Sequence, residues 1–317
     1  MKIINRRCFI IGIKSTNLSK NEISLLKKYK PWGIILFARN IKSINQTKKL
    51  TNHIRKIFKD NKYPILLDQE GGRVNRLSEF FNGNSLTGKF FGNLFLRDRK
   101  KFYIYYKIFI NKTSYLLKQI GININTIPVL DITVKGSSNV IGDRSFSNDP
   151  RIINKIGDYC IKLLHKNNIG SVIKHIPGHG LARVDSHKLT PNVTKNFKYL
   201  IKNDFNTFKN KKSFFAMTAH VIYKDIDKNN TATHSKKIIQ LIRNKIKFKN
   251  LIMSDDISMK SLKFSLKENI LKAFTAGCNL VLHCNGNYKE MMTVAKNSPL
   301  VDSFIIKKTS QFYSILS

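Results

Sequence analysis

Cysteine is scarce in this 317-residue chain. The four residues, Cys8, Cys160, Cys278 and Cys284, each lie in an apolar context, and none belongs to a CxxC pair. That argues against a disulfide framework and suits reduced, buried thiols in a cytoplasmic protein. No cluster of His, Cys and carboxylates has metal-ligand spacing, so neither a metal nor any other cofactor is expected. Long apolar runs are missing too. The basic start, Met1 to Arg7, leads into an apolar run, Cys8–Ile13, that is too short for a signal peptide and lacks a small-residue cleavage site. No later stretch approaches a membrane span, so no membrane partner is expected. Acidic residues are also few: 19 stand against 57 lysines and arginines, for a formal charge of +38. Such a balance suggests anionic partners. Here the lysines are spread along the whole chain among abundant Asn and Ile, as AT-rich coding sequence would give. They imply salt-sensitive, non-specific contact with nucleic acid rather than a specific site.

No repeat, linker or low-complexity segment interrupts the chain, and residues 1–317 read as one domain. Short apolar runs at 8–13, 32–37, 64–67, 121–127, 170–174, 214–218, 251–253 and 279–282 read as strands. Most are followed by a stretch with helical spacing, at 17–29, 43–59, 98–119, 151–167, 195–209, 235–246 and 264–276. Gly277 is a C-cap for the last of these. Within 98–119, Phe102, Tyr105, Tyr106 and Phe109 read as a packing stripe. Eight strand-then-helix units predict a single-domain α/β fold, a (β/α)8 TIM-type barrel. Asp68, Lys174, His175, His220, Asp255 and His283 all fall just after an apolar strand. Barrel enzymes keep their chemistry there.

The densest stretch is Lys174-His175-Ile176-Pro177-Gly178-His179-Gly180, followed by Asp185-Ser186-His187. Pro177, Gly178 and Gly180 forbid a regular continuation of the strand before them, so the polar side chains sit on an irregular loop. Asp185 and His187 are two apart and point the same way in an extended segment. A carboxylate beside an imidazole fixes its tautomer and steadies its charged form.

These residues resemble the signature of glycoside hydrolase family 3, in its β-N-acetylhexosaminidase branch. Three further blocks carry the resemblance in the family's order: Asp68-Gln69-Glu70-Gly71-Gly72-Arg73-Val74-Asn75-Arg76, Gly142-Asp143-Arg144-Ser145-Phe146 and Ser254-Asp255-Asp256-Ile257-Ser258-Met259. It covers roughly residues 8 to 290. The resemblance implies a retaining exo-β-N-acetylglucosaminidase that removes terminal N-acetylglucosamine from anhydro-muropeptides in cytoplasmic cell-wall recycling. It implies Asp255 as nucleophile, His187 as acid/base and Asp185 as the residue orienting His187. Asp68, Arg76, Arg144, Lys174 and His175 would hold the sugar. Asp256 would steady the loop, since adjacent residues on a strand end diverge and only one would face the barrel axis. His179 reads as loop architecture, and His220 as either pocket lining or a satisfied core histidine. Arg76 and Arg144 have a structural alternative, as partners of Glu70 or Asp143. Two segments depart from the family pattern: 77–96, and a tail after about 290 that looks short enough to truncate the last helix. Two rival readings remain. One is a phosphorylase that passes the sugar to phosphate from the same site. The other is a degenerate barrel that binds nucleic acid through its charge.

Overall fold

The computed structural model describes residues 3–134, 136, 138–184 and 189–316. Eight parallel strands close into a barrel. They are β1 (Arg7–Gly12), β2 (Pro31–Leu36), β3 (Ile65–Leu67), β4 (Ile124–Asn125), β5 (Gly170–Ile176), β7 (Phe215–Thr218), β9 (Leu251–Asp256) and β10 (Leu280–His283). Each pairs with its sequence neighbours among these eight, and β1 closes the ring on β10. Two short strands, β6 (Asn192–Val193) and β8 (Ile222–Tyr223), pair outside the barrel. The helices are α1 (Lys20–Tyr29), α2 (Ile44–Phe58), α3 (Gly88–Arg97), α4 (Arg99–Gln119), α5 (Pro150–Lys166), α6 (Phe197–Lys202), α7 (Lys236–Asn244), α8 (Leu266–Ala276), α9 (Tyr288–Asn297) and α10 (Ser303–Tyr313). The expected TIM-type barrel is the observed fold. No helix among the described residues is long and apolar enough to cross a membrane.

The strand sequences explain the barrel's two cores. Side chains alternate across a strand. Ile10, Ile35, Leu66, Ile124, Val172, Met217, Met253 and Leu282 fill the barrel interior. Their neighbours Phe9, Ile11, Ile34, Leu36, Ile65, Leu67, Ile173, Ala216, Ile252 and Val281 pack outward against the helices. The strands are therefore apolar on both faces, as sheets covered on both sides must be.

Helix boundaries follow their caps. Ser19, Ser43, Asp98 and Ser265 each accept a backbone N–H from the first turn of their helix. Gly277 ends α8 in the left-handed conformation, at φ 111°.

Two expectations need correction. The 77–96 segment holds a helix, α3, whose Phe91 and Phe95 are buried against the aromatic face of α4. On α4, Phe102, Tyr106 and Phe109 form the packing stripe, but Tyr105 stands 50 % exposed. α10 runs eleven residues and seals the floor of the barrel, where the Trp32 indole donates to Thr309 Oγ1 at 2.8 Å. Arg6 is buried there as well, paired with Asp60 and lying over the Tyr63 ring.

Candidate active site

The site grows from the alternation inside the barrel. Two residues beyond each inward core residue, the chain again points inward at the C-terminal mouth. From Ile35, Leu66, Ile124, Val172, Met253 and Leu282 this rule leads to Phe37, Asp68, Thr126, Lys174, Asp255 and Cys284. All six line one pocket of about 230 Å³, together with Arg76, Arg144, His175, His179, Asp256 and Met259. At the corresponding place on β1 stands Gly12. A Cβ there would come within 2.3 Å of the Cys284 carbonyl oxygen, so only glycine fits.

One wall is an ionic network. The Asp68 carboxylate accepts from Thr126 Oγ1 at 2.6 Å, from Arg76 Nη2 at 3.1 Å and from Lys174. The Lys174 ammonium also reaches Glu70 Oε1, at 2.6 Å. Arg144 closes a fork on Glu70, with Nε and Nη2 each donating at 2.7 Å. Burial works against all these charges, but the partners win. Lys174 and Arg76 hold Asp68 below its ordinary range, Arg144 and Lys174 do the same for Glu70, and Asp68 and Glu70 raise Lys174. The expected alternative for Arg144 is thus realised with Glu70. Asp143 instead faces Arg73, at 3.4 Å. Arg76 pairs with Asp68, and its Nε has no hydrogen-bond partner among the described residues.

A second wall is built on Asp131, which no sequence argument singled out. It is fully buried. It accepts the backbone N–H of His179 at 2.7 Å and that of His175 at 3.1 Å, and it meets His175 Nδ1 at 2.7 Å. Burial alone would push this carboxyl up, but His175 outweighs it and holds the group ionised. An ionised carboxylate has only acceptors, so His175 Nδ1 carries a proton and Nε2 is left for the pocket. The His179 ring packs edge-on against His175, with centroids 5.7 Å apart. Burial, then His175, lowers the His179 pKa to about 4, so it is neutral at pH 7. His179 therefore serves the loop through its backbone, as expected, and also lines the pocket.

The glycines make this loop possible. Gly178 sits at φ 147°, and a Cβ there would meet the Asp204 carboxyl at 2.4 Å. At Gly180 a Cβ would lie 1.9 Å from the Ile132 carbonyl oxygen.

The third wall is the end of β9. Asp255 Oδ1 accepts the backbone N–H of Asp256 at 2.8 Å, and no cation pairs with this carboxylate among the described residues. Burial opposes its ionisation, but His175 and His220 outweigh that and lower its pKa. Asp256 Oδ1 accepts Ser258 Oγ at 2.8 Å and Ser258 N at 3.1 Å, which steadies the loop as expected. Asp256 borders the pocket beside Asp255. Opposite β9, Leu280 pairs with Met253 but Leu282 pairs with Asp256, so three steps on one strand face two on the other. A register shift of this kind bends the strand locally and increases its twist. A similar shift on β5, between Lys174 and Ile176, brings both Lys174 and His175 to the pocket.

His220 is a satisfied core histidine. Its Nδ1 meets Thr233 Oγ1 at 2.7 Å, and its Nε2 donates to the Asp256 carbonyl at 3.0 Å. His283 is buried, with Nε2 2.8 Å from Glu290. Asp185 and His187 lie outside the described residues. Among the described residues, no group of three or more His, Cys, Asp or Glu could hold a metal ion.

This geometry agrees with the comparisons to known proteins. The N-terminal domain of glycosyl hydrolase family 3 matches residues 6–312. The chain belongs to glycosyl hydrolase family 3. Within it the chain falls in the β-hexosaminidase branch and is a glycoside hydrolase. The Beta-hexosaminidase of Methylobacillus flagellatus is 32 % identical over 288 residues, covering 87 % of this chain and 80 % of that protein. The Beta-hexosaminidase of Haemophilus influenzae is 31 % identical over 284 residues, covering 87 % of this chain and 79 % of its own length. The crystal structure of native NagZ from Neisseria gonorrhoeae superposes with a TM-score of 0.86 at 29 % identity, covering 99 % of this chain and 91 % of that one. The same protein has been solved in complex with N-trifluoroacetyl-D-glucosamine, and there it matches with a TM-score of 0.84.

Proposed function

We propose that this glycoside hydrolase is a retaining exo-β-N-acetylglucosaminidase. It removes terminal N-acetylglucosamine from anhydro-muropeptides in cytoplasmic cell-wall recycling. The observation that carries this reading is the state of the pocket's carboxylates. Asp68 and Glu70 are engaged by cations, Asp131 by His175 and two backbone N–H groups, and Asp256 by Ser258. Asp255 is held ionised and, among the described residues, takes a single backbone bond on one oxygen. A nucleophile needs that combination: charged, aimed at the pocket, and not neutralised by an adjacent cation.

In this mechanism Asp255 attacks the anomeric carbon and forms a covalent glycosyl-enzyme. His187 protonates the departing oxygen and then takes a proton from the attacking water. Asp185 orients His187. Asp68, Arg76 and Lys174 form a fixed array of donors and acceptors for ring hydroxyls, and Arg144 adds donors toward the acetamido oxygen. His175, with Nδ1–H fixed by Asp131, offers Nε2 to a hydroxyl. Because these groups are already paired with one another, they need little rearrangement when the sugar arrives. The relatives named Beta-hexosaminidase support the choice of sugar, as does the glucosamine derivative bound by the Neisseria protein.

Turnover of a chromogenic β-N-acetylglucosaminide beside the matching β-glucoside tests the reading. The glucosaminide is expected to be preferred by orders of magnitude, and equal rates would remove the acetamido assignment. Product analysis with and without phosphate separates hydrolysis from phosphorolysis, with free N-acetylglucosamine expected in both.

A further inference from the structure

The outer surface of α3 and α4 carries a patch that the active site does not use. Leu96, Ile104, Tyr105, Ile108 and Tyr115 are between 48 and 64 % exposed. On α4, residues 101, 105, 108, 112 and 115 recur at helical spacing, so Lys101, Tyr105, Ile108, Lys112 and Tyr115 share one stripe, with Ile104 beside it. The helix spans 21 residues, roughly 31 Å at 1.5 Å per residue. Its sequence, RKKFYIYYKIFINKTSYLLKQ, contains six basic residues and no acid. From residue 80 to residue 130 the only acid is Asp98, and that residue caps α4. Acid-free basic runs occur elsewhere too, as at 236–249 with six lysines and arginines. On α4 the charge is interleaved with exposed aliphatic and tyrosyl side chains along one helix.

We propose that this face of α4 docks the protein onto an anionic lipid bilayer surface. Three occupants can be weighed on chemistry. A second copy of the chain would bring two all-basic faces together, and like charges across an interface are costly. A nucleic acid would satisfy the lysines but leave Leu96, Ile104 and Ile108 against phosphate and water. An anionic bilayer accommodates both kinds of side chain. Aliphatic groups and tyrosine rings enter the headgroup boundary, while the lysines lie along it with their ammonium groups at the phosphates. Each lysine near such a surface contributes roughly five-fold to partitioning, and the effect fades within a Debye length. Neither part suffices alone, since the apolar area is small and charge alone is quenched by salt. The face therefore gives peripheral, reversible attachment, with no crossing of the membrane.

Orientation makes the attachment compatible with turnover. The barrel strands are parallel, and the pocket opens at their C-terminal ends. α4 follows β3 and precedes β4, so it runs alongside the barrel on its outside and not across the mouth. Docked on α4, the barrel lies on its side with its pocket open to solution.

Co-sedimentation of the full chain with phosphatidylcholine vesicles, and with vesicles of phosphatidylcholine mixed with phosphatidylglycerol, tests the proposal. Binding is expected to the mixed vesicles only. The pair Ile104→Ser and Ile108→Ser should weaken it roughly ten-fold or more. The pair Lys101→Gln and Lys112→Gln should weaken it and flatten its salt dependence. Hydrolysis of the chromogenic glucosaminide should be unchanged in both variants, which reports that the fold is intact. Three results would overturn the proposal: no binding to mixed vesicles, binding that the serine pair leaves untouched, or a concentration-dependent dimer that the serine pair abolishes. Single-stranded DNA binding that is lost with the serine pair while vesicle binding is absent would assign the face to nucleic acid instead.

Discussion

Replacing Asp131 by Asn probes the part of the site that is most constrained. The carboxylate receives three N–H donors, from His179 N at 2.7 Å, His175 N at 3.1 Å and His175 Nδ1 at 2.7 Å, all in a fully buried position. An amide offers one oxygen and one NH2 group in the same space. If the oxygen faces His175 Nδ1, the NH2 group points at the His179 N–H, donor against donor. If it is turned round, the His175 ring must move its proton to Nε2, and the nitrogen facing the sugar changes from acceptor to donor. Hydrogen bonds to a charged group contribute about 1.5–3 kcal/mol, and a buried donor left unpaired costs about 1–3 kcal/mol. The variant should therefore be about 2–4 kcal/mol less stable. Loss of one oriented bond to the sugar should lower kcat/KM by roughly 10- to 100-fold. The effect should fall short of the roughly 10⁴-fold of the same exchange in a serine-protease triad, because His175 holds substrate and does not carry the proton. Denaturant unfolding and kcat/KM on a chromogenic β-N-acetylglucosaminide measure both quantities. Wild-type kcat/KM in a protein of unchanged stability would refute the role given to Asp131.

The acid/base pair and the buried histidines yield two further predictions. His187→Ala should slow glycosylation far more for poor leaving groups than for activated aryl glycosides, with Asp185→Asn a milder copy; an equal loss on both would pass the acid role to another residue. Burial lowers His165, His179 and His234 from 6.5 to about 4. Their neutral forms are favoured on folding, so the stability they contribute is present above pH 6.5 and is lost as pH falls from 6.5 to 4, at up to about 1.4 kcal/mol per pH unit for each proton taken up on unfolding. Urea unfolding at pH 7.5 and pH 5 checks this, and equal stabilities at the two would contradict the burial argument.

Much of the barrel was legible because its strands obey a period of two. Ile10, Leu66, Val172, Met253 and Leu282 fix the inward face, and counting two further residues leads to Asp68, Lys174 and Asp255. The bulges on β5 and β9 were not legible, because they depend on the register of the neighbouring strand and not on local residues. Asp131 was missed for a related reason. β4 proper is two residues long, and Asp131 follows it on an irregular segment whose Val129 bridges to Lys174. The apolar run Val129-Leu130 ending in a carboxylate was the available signal. α3 was hidden by the divergent 77–96 segment, although Thr87 caps it and Phe91 and Phe95 stand four apart. Tyr105 shares its aromatic type with Phe102, Tyr106 and Phe109, but its phase on the helix places it on the solvent side.

In the proposed mechanism Asp255 becomes covalently linked to the sugar. Incubation with a 2-deoxy-2-fluoro glycoside, or a related slow substrate of the same configuration, followed by intact mass measurement and peptide mapping, tests it directly. One sugar should be added per chain, on the peptide carrying Asp255. The label should be absent from Asp255→Ala and present in Asp256→Ala. A label on Asp256 or any other residue would contradict the account, as would turnover that gives the inverted anomer with no label at all.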